Sequence, residues 1–550
     1  MFGGRLTTNG KSHVPSSIIP DTLRYLLDRG STLALLDVRE HAEYNAAHIP
    51  GAGSLPRRLI EFRLMRLVPC PAAQIVVCDD DGNRAWLAAT TMERMGYARV
   101  AVLEGGVNAW ASRGLPTEWG MNVPSKDFGE RIEVQHHVPT IDALELHRRL
   151  QGGRPVVILD ARTPEEYGRA CIPGGRNVPG GELALRITDI VMRHPDAAVV
   201  VNCAGRTRSI IGARILQRMG LPNVVSLRNG TSGWVLAGLP LEKGARRLDL
   251  PEPSPEGLAA ATAFATHLAG QDGVRYLAVE ALQATMARAP DECVYLVDVR
   301  TEQEYAAGHI PGFWWFPGGQ AVQRADDVVA VRNATIVFCC DGTVRSTITA
   351  SWYRQMGFPN VYAVIGGTTA WKAAGRALEQ GASEPVPHGL REAMRRARMV
   401  SPSELEAALH GKRPTIIFAG TSREFAGGHV PGARWLSRSW LELEIGSLAP
   451  DLSKPIVATD NDGRSAPLAA ATLRDLGYAD VAFLQGGMAA WRQANLPVER
   501  GLAGVMTPPE DVVPAGPERP YHDMINYLRW EEALGRKYQV PRPASKVPRH

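Results

Sequence analysis

Cysteine is scarce in this chain: seven residues among 550, at positions 70, 78, 171, 203, 293, 339 and 340. The number is odd and no paired C-x-x-C spacing with histidines occurs, so neither a disulfide framework nor a zinc site is indicated. Reduced thiols in a cytoplasm are the expected state. An excess of one charge is lacking too. Lysine and arginine total 61 against 57 acidic residues, a net charge of +4. That leaves no basic face for nucleic acid. Long apolar runs are also missing. No stretch approaches the ~18 apolar residues of a membrane span, and the N-terminal "MFGGRLTTNGKSHVPSS" contains no signal h-region. Neither nucleic acid nor membrane is therefore an expected partner. What is present is an ordinary globular composition, 45% hydrophobic and 21% charged, in a chain long enough for several cores.

The chain repeats itself. "LLDVREHAEYNAAHIPGA" begins at Leu35, "ILDARTPEEYGRACIPGG" at Ile158, "LVDVRTEQEYAAGHIPGF" at Leu296, and a worn fourth copy, "IIFAGTSREFAGGHVPGA", at Ile416. The units close alike, on Trp110, Trp234, Trp371 and Trp491, 124, 137 and 120 residues apart. That spacing is one ordinary domain per repeat, too long for a solenoid. The expected domains are 14–117, 133–241, 273–377 and 397–500, with linkers at roughly 118–132, 242–272 and 378–396 and a Pro-rich tail over 501–550. The middle linker carries an Ala-rich helix, "GLAAATAFATHLAG", and the tail a helix, "YHDMINYLRWEEALGRKYQ", whose apolar residues predict docking onto a domain. Within each unit, short β-branched runs alternate with helical segments. The fold class is therefore α/β, a mainly parallel sheet with helices on both faces. Ligands in such sheets gather at the carboxyl ends of strands.

One loop at such an end recurs four times: "VCDDDGNRA", "VNCAGRTRS", "FCCDGTVRS" and "ATDNDGRSA". Aligned without gaps from the strand, Cys203 matches Cys340, and Asp79 and Asp460 stand in the same column. Cys78 and Cys339 fall one position earlier, at the end of the strand. Four residues separate Cys203 from Arg208 and Cys340 from Arg345, and a serine follows at the helix start. A loop this tight turns backbone N–H groups toward its centre and feeds a helix N-terminus, which suits an anion. The same field predicts a cysteine pKa below the free value of ~8.5. Arg206 adds a charge in the second loop, where the third has Asp341 and Thr343. The second pocket is thus expected to draw an anionic donor more strongly.

The D-x-R…E-Y…G-H-I-P-G-A opening, the C-x4-R loop and the GG…W close together resemble the rhodanese (sulfurtransferase) family. The resemblance covers four units, roughly residues 14 to 500. It implies four tandem rhodanese-like domains and covalent chemistry, in which the loop cysteine takes the outer sulfur of a donor as a persulfide and passes it to a nucleophile. Carried over, Cys203 and Cys340 are the nucleophiles. Ala204, Gly205, Arg206, Thr207 and Arg208, and Asp341, Gly342, Thr343, Val344 and Arg345, are the substrate cradles. Both loops end in arginine, where mercaptopyruvate-using relatives commonly carry a small hydroxyl residue. The implied donor is thus thiosulfate or a thiol persulfide, and the implied acceptor is cyanide, a thiol or a thiol redox protein. No metal and no other cofactor is required. Asp79 and Asp460 cannot form a persulfide, and Ser465 replaces the loop arginine in the fourth unit, so the first and fourth domains are expected to be inactive. In two-domain members an inactive domain packs against an active one, and the order along this chain suggests two such pairs.

Other recurring residues have plainer readings. Asp160, Arg162, Asp298 and Arg300 are expected to fix the strand-to-helix turn. His48, His309 and His429 are turn residues, since Cys171 replaces the histidine in the second unit and is itself a small buried residue. The closing tryptophans are core anchors. Trp314 and Trp315 have equal claims as core and as a wall of the third pocket. Two rival functions remain. A phosphatase of the related dual-specificity type has a C-x5-R loop, a spacing that Cys339 to Arg345 satisfies. A non-catalytic scaffold is the other.

Overall fold

The computed structural model describes residues 15–289, 291–381, 384, 386–411 and 413–539. The N-terminal stretch considered for a signal segment lies, up to residue 14, outside the described residues. In the first repeat the strands are β1 (Ser16–Ile18), β2 (Ala34–Asp37), β3 (Gly53–Ser54), β4 (Ile75–Cys78) and β5 (Val100–Leu103). They form a parallel sheet in the order β1-β5-β4-β2-β3. The other three repeats build five-stranded sheets of the same order. The central strands are largely buried, and Val294–Asp298 and Ile456–Thr459 are buried along their whole length. This is the pattern of a parallel sheet covered on both faces, and it explains why their sequences run apolar without alternating. The two outer strands of each sheet are too short to be seen as apolar runs, and they are the elements the sequence missed.

Each closing tryptophan is buried, and its indole N–H donates to a carbonyl six residues on, at Pro116, Pro240, Ala377 and Pro497. These residues anchor the cores, as expected. The linkers are more ordered than their composition suggests. Val123–His136 is a helix entered through Asn122 in the left-handed region, with a proline in its first turn. Phe128 and Ile132, four apart, bury its inner face. The Ala-rich segment forms the helix Pro255–Asp272, and Leu390–Arg396 forms a third linker helix. Among the described residues no helix is long and apolar enough to cross a membrane.

The chain divides into two compact units. One comprises the residues through Met121 with Ala330–Arg332 and Glu384–Val513; the other comprises Asn122–Val329, Asn333–Ser383 and Pro514 onward. The first repeat thus pairs with the fourth and the second with the third, which corrects the expectation that a cysteine-bearing domain would pack on one without. The seams explain the choice. In the second and third repeats the segment after the third strand reads Pro-Gly-Gly, and Gly181 and Gly319 meet backbone to backbone: a Cβ at Gly181 would lie 3.0 Å from the Gly319 nitrogen. In the column of Gly180 and Gly318, the first glycine of each pair, the first and fourth repeats carry Arg57 and Arg438. Arg57 donates to the Arg438 carbonyl at 2.7 Å and to Glu442, and Arg438 donates to Glu61. A glycine seam and an arginine–glutamate seam do not interchange.

Candidate active site

The strand Ala198–Asn202 delivers Cys203 to the start of the loop, and the helix Thr207–Arg218 leaves it. In the third domain the strand Thr335–Cys339 ends on Cys339, paired with Asp298, so Cys340 opens the loop before the helix Val344–Met356. The register drawn from sequence therefore holds in space. Cys339 faces the apolar cluster of Val337, Val364 and Trp371, and burial pushes its thiol well up. Cys78 ends its strand in the same way.

The closing motif shapes each loop from behind. The Thr231 and Ser232 N–H groups donate to the carbonyls of Cys203 and Ala204 at 2.8 and 3.1 Å, and Thr368 and Thr369 do the same to Cys340 and Asp341 at 2.9 and 3.1 Å. Gly230 and Gly367 have φ of 52° and 50°, and a Cβ on either would collide with the cysteine carbonyl. The motif needs glycine there on both counts.

The loops of the first and fourth domains show what this backbone does. The Asp79 carboxylate accepts from the N–H groups of Gly82, Arg84 and Ala85 at 2.5, 2.7 and 3.1 Å. Asp460 accepts from Gly463, Ser465 and Ala466 at 2.7, 2.6 and 2.8 Å. Three amides thus converge on one anion, a nest filled from within. In register, the same amides belong to Arg206, Arg208 and Ser209 in the second domain and to Thr343, Arg345 and Ser346 in the third. There the nest holds a thiol. Cys203 Sγ lies 3.4 Å from Ser209 Oγ and Cys340 Sγ 3.3 Å from Ser346 Oγ. Both sulfurs are buried.

Burial pushes the Cys203 thiol up, against Arg208 and the hydrogen bonds from the Ser209 side chain and backbone, which pull it down. Cys340 is raised likewise, with Arg345 and Ser346 opposing and Asp341 adding to the rise. The expectation of a lowered pKa is corrected: in the closed loop, loss of solvent outweighs the dipoles and the guanidinium.

The arginines are held by glutamates that sequence reasoning missed. Arg208 makes a two-pronged pair with Glu166 at 2.7 and 2.8 Å, and Arg345 with Glu304 at 2.7 and 2.6 Å. Burial alone would raise these carboxyls, but the guanidiniums outweigh it and hold each at about 2. Arg345 also meets Asp341 at 2.7 Å and, from the second domain, Glu182 at 2.8 Å. The signal was the glutamate of the E-Y motif, present in all four units. Ser209 and Ser346 left a clearer one: their column reads Ser in both cysteine loops and Ala, at Ala85 and Ala466, in both carboxylate loops.

Other members of the predicted cradles do different work. Arg206 turns away to Glu130, Glu133 and Glu532, so its charge is spent and does not enrich the second pocket, contrary to expectation. Thr207 Oγ1 donates to Glu531 at 2.9 Å, and the Thr343 hydroxyl accepts from the Gly366 N–H at 3.2 Å. The Ala204 carbonyl accepts from both the N–H and the hydroxyl of Ser232. Asp160 and Asp298 bind Arg162 and Arg300 in two-pronged pairs, and these arginines reach on to the carbonyls of Ala170 and Gly308. The turn-fixing reading stands. His48, His309 and His429 stack on the aromatic ring of the preceding helix, and Cys171 is buried beside Tyr167. Trp315 donates to the Arg300 carbonyl at 2.9 Å and lines a cavity of about 310 Å³ with Arg162, Glu182 and Leu250. Neither loop cysteine borders that cavity.

Residues 20–113, 142–237, 279–374 and 401–494 each match the rhodanese-like domain family. The chain belongs to the rhodanese family of sulfurtransferases. A solved thiosulfate sulfurtransferase from Pseudomonas aeruginosa superimposes on this rhodanese with a TM-score of 0.86 at 37% identity, covering 94% of this chain and 97% of that one. A thiosulfate sulfurtransferase of Azotobacter vinelandii is 28% identical over 244 residues, 37% of this chain and 88% of its own. A sulfurtransferase of Allochromatium vinosum is 32% identical over 104 residues, 19% of this chain and 94% of its own. The rhodanese domains number four, and two of them open the loop after the strand with cysteine, Cys203 and Cys340.

Proposed function

We propose that this protein moves sulfane sulfur from thiosulfate or a thiol persulfide to cyanide or a thiol, through persulfides on Cys203 and Cys340. The observation that supports the reading is the carboxyl that fills the loop at Asp79 and at Asp460, each accepting three backbone amides although burial raises its pKa. At the same loop positions in the cysteine domains the Ser209 and Ser346 amides hydrogen-bond the sulfurs, and with the two other amides in register they offer a persulfide anion an equivalent seat. The thiolate attacks the outer sulfur of the donor, the donor S–S bond breaks, and sulfite, or the donor thiolate, leaves with the electron pair. The acceptor then attacks the terminal sulfur, and the cysteine leaves as thiolate. Arg208 and Arg345, with Ser209 and Ser346, favour the charged form that burial opposes. Asp79 and Asp460 have no sulfur to offer, so the first and fourth domains are read as non-catalytic, and their own pairing supports a scaffolding role for that unit.

The phosphatase alternative loses its support at Cys339, whose sulfur faces the apolar core. The test is mass spectrometry after thiosulfate treatment. The peptides holding Cys203 and Cys340 are expected to gain about 32 Da, one sulfur. Sulfur transfer that persists in a Cys203→Ser, Cys340→Ser double variant would overturn the assignment.

A further inference from the structure

The two cysteine loops differ in what lies over them. In the third domain a Cβ at Gly342 would meet open space. In the second, a Cβ at the equivalent Gly205 would meet Glu531 Oε2 at 3.3 Å and Leu528 Cδ2 at 3.8 Å. Both residues come from the C-terminal helix Tyr521–Leu534. That helix is seated by buried Met524 and Leu528, by Lys126 over the rings of Tyr527 and Trp530, and by Arg206 on Glu532. Just before it, a Cβ at Gly516 would lie 3.0 Å from the Ala204 side chain. Among the described residues the tail is thus built against the second loop, while Gly342 of the third faces open space.

Glu531 is the unusual member of this cover. Its side chain is 2% exposed. One oxygen accepts from Thr207, while Oε2 is buried with no hydrogen-bond partner. A buried carboxylate oxygen left unmatched is costly, and such a group calls for a functional explanation. Its field reaches the nucleophile: after burial, Arg208 and Ser209, Glu531 is among the groups acting on the Cys203 thiol, in the direction that raises it.

We infer that Glu531 is a specificity-determining residue of the Cys203 site, selecting a singly charged thiol persulfide over doubly charged thiosulfate as sulfur donor. This rests on the persulfide chemistry proposed above. Like-charge repulsion scales with the charge on the donor, so a fixed carboxylate over the loop penalises the dianion about twice as much in free energy. A helix that lies over one cysteine loop and, among the described residues, not over the other then divides the donors between them.

The test uses the full chain with Cys340→Ser, so that only Cys203 loads, and reads the donor concentration giving half-maximal gain of one sulfur by mass spectrometry. The donors are thiosulfate and the persulfide of 2-mercaptoethanol. Glu531→Gln, which keeps the acceptor for Thr207, is expected to lower the half-loading concentration about tenfold for thiosulfate and about threefold for the persulfide. Glu531→Asp keeps the charge and is expected to leave the preference in place. Equal shifts for both donors, or an Asp variant that behaves like the Gln variant, would mean that the helix acts by bulk, and the inference falls. It falls equally if Glu531→Gln loads Cys203 no better while Cys340, in the chain that retains it, still loads. If neither cysteine takes up sulfur in the unaltered chain, the proposed function itself has failed, which is a separate result.

Discussion

At Cys203 and Cys340 a thiol stands where Asp79 and Asp460 hold a carboxyl, and that exchange decides whether the loop amides meet two carboxyl oxygens or a single sulfur. The arginine that closes each cysteine loop is kept in place by a glutamate, and the pair has a pH signature. Glu166 and Glu304 are held at about 2, against about 4.3 in an unfolded chain. Between those values the unfolded chain binds more protons than the native one, so stability rises with pH. The contribution is fully present above about 4.3 and is lost as pH falls through about 2. Glu166→Gln is therefore expected to cost up to about 3 kcal/mol at pH 7 and to flatten the acid limb of the stability curve. Denaturant melts between neutral pH and pH 2 would check this; an unchanged acid limb would show that the pair adds nothing.

Among the elements, the linker helix Val123–His136 has the most direct hold on chemistry. It supplies Glu130 and Glu133 to Arg206, and its Gly129 presses on the start of the helix that follows Cys203. A Cβ at Gly129 would lie 2.9 Å from Thr207 Cγ2 and 3.2 Å from Thr207 Cα. The second contact is backbone, which has little room to give. Gly129→Val is expected to displace the helix start, at about 1–3 kcal/mol in stability, and to slow sulfur loading of Cys203 by about tenfold or more. Cys340, served by another loop, should load at its ordinary rate. The two tryptic peptides followed in one mass-spectrometric time course carry both readings, and parallel slowing would contradict the argument.

Over the whole molecule, two seams sort four similar domains into pairs. Where the second and third domains meet, glycines 180, 181, 318 and 319 bring backbone to backbone, with a Cβ at Gly319 only 3.0 Å from Gly180 Cα. No side chain there can swing aside. Gly181→Val is expected to force that seam apart and to lower the stability of the unit by about 1–3 kcal/mol. It should also loosen the approach of Glu182 to Arg345 and so disturb the Cys340 loop. Calorimetry should show one transition moving down while the unit of the first and fourth domains melts as before. A single transition, or two that move together, would show the units to be coupled.

The repeats, the parallel α/β class, the placing of Cys339 on the strand and Cys340 in the loop, and the turn-fixing Asp–Arg pairs were all legible in the chain, because each rests on short local spacing or on laying one copy of the unit against another. So was the seam, had Pro-Gly-Gly been compared with the arginines of the outer repeats. What tertiary structure alone decided joins distant residues. Arg208 finds Glu166 across 42 positions, and Thr207 finds Glu531 across 324, separations for which no periodicity exists. The acidity of the thiols belongs to the same class. A loop's dipoles can be inferred from its neighbours in sequence, but the water it loses depends on everything packed around it.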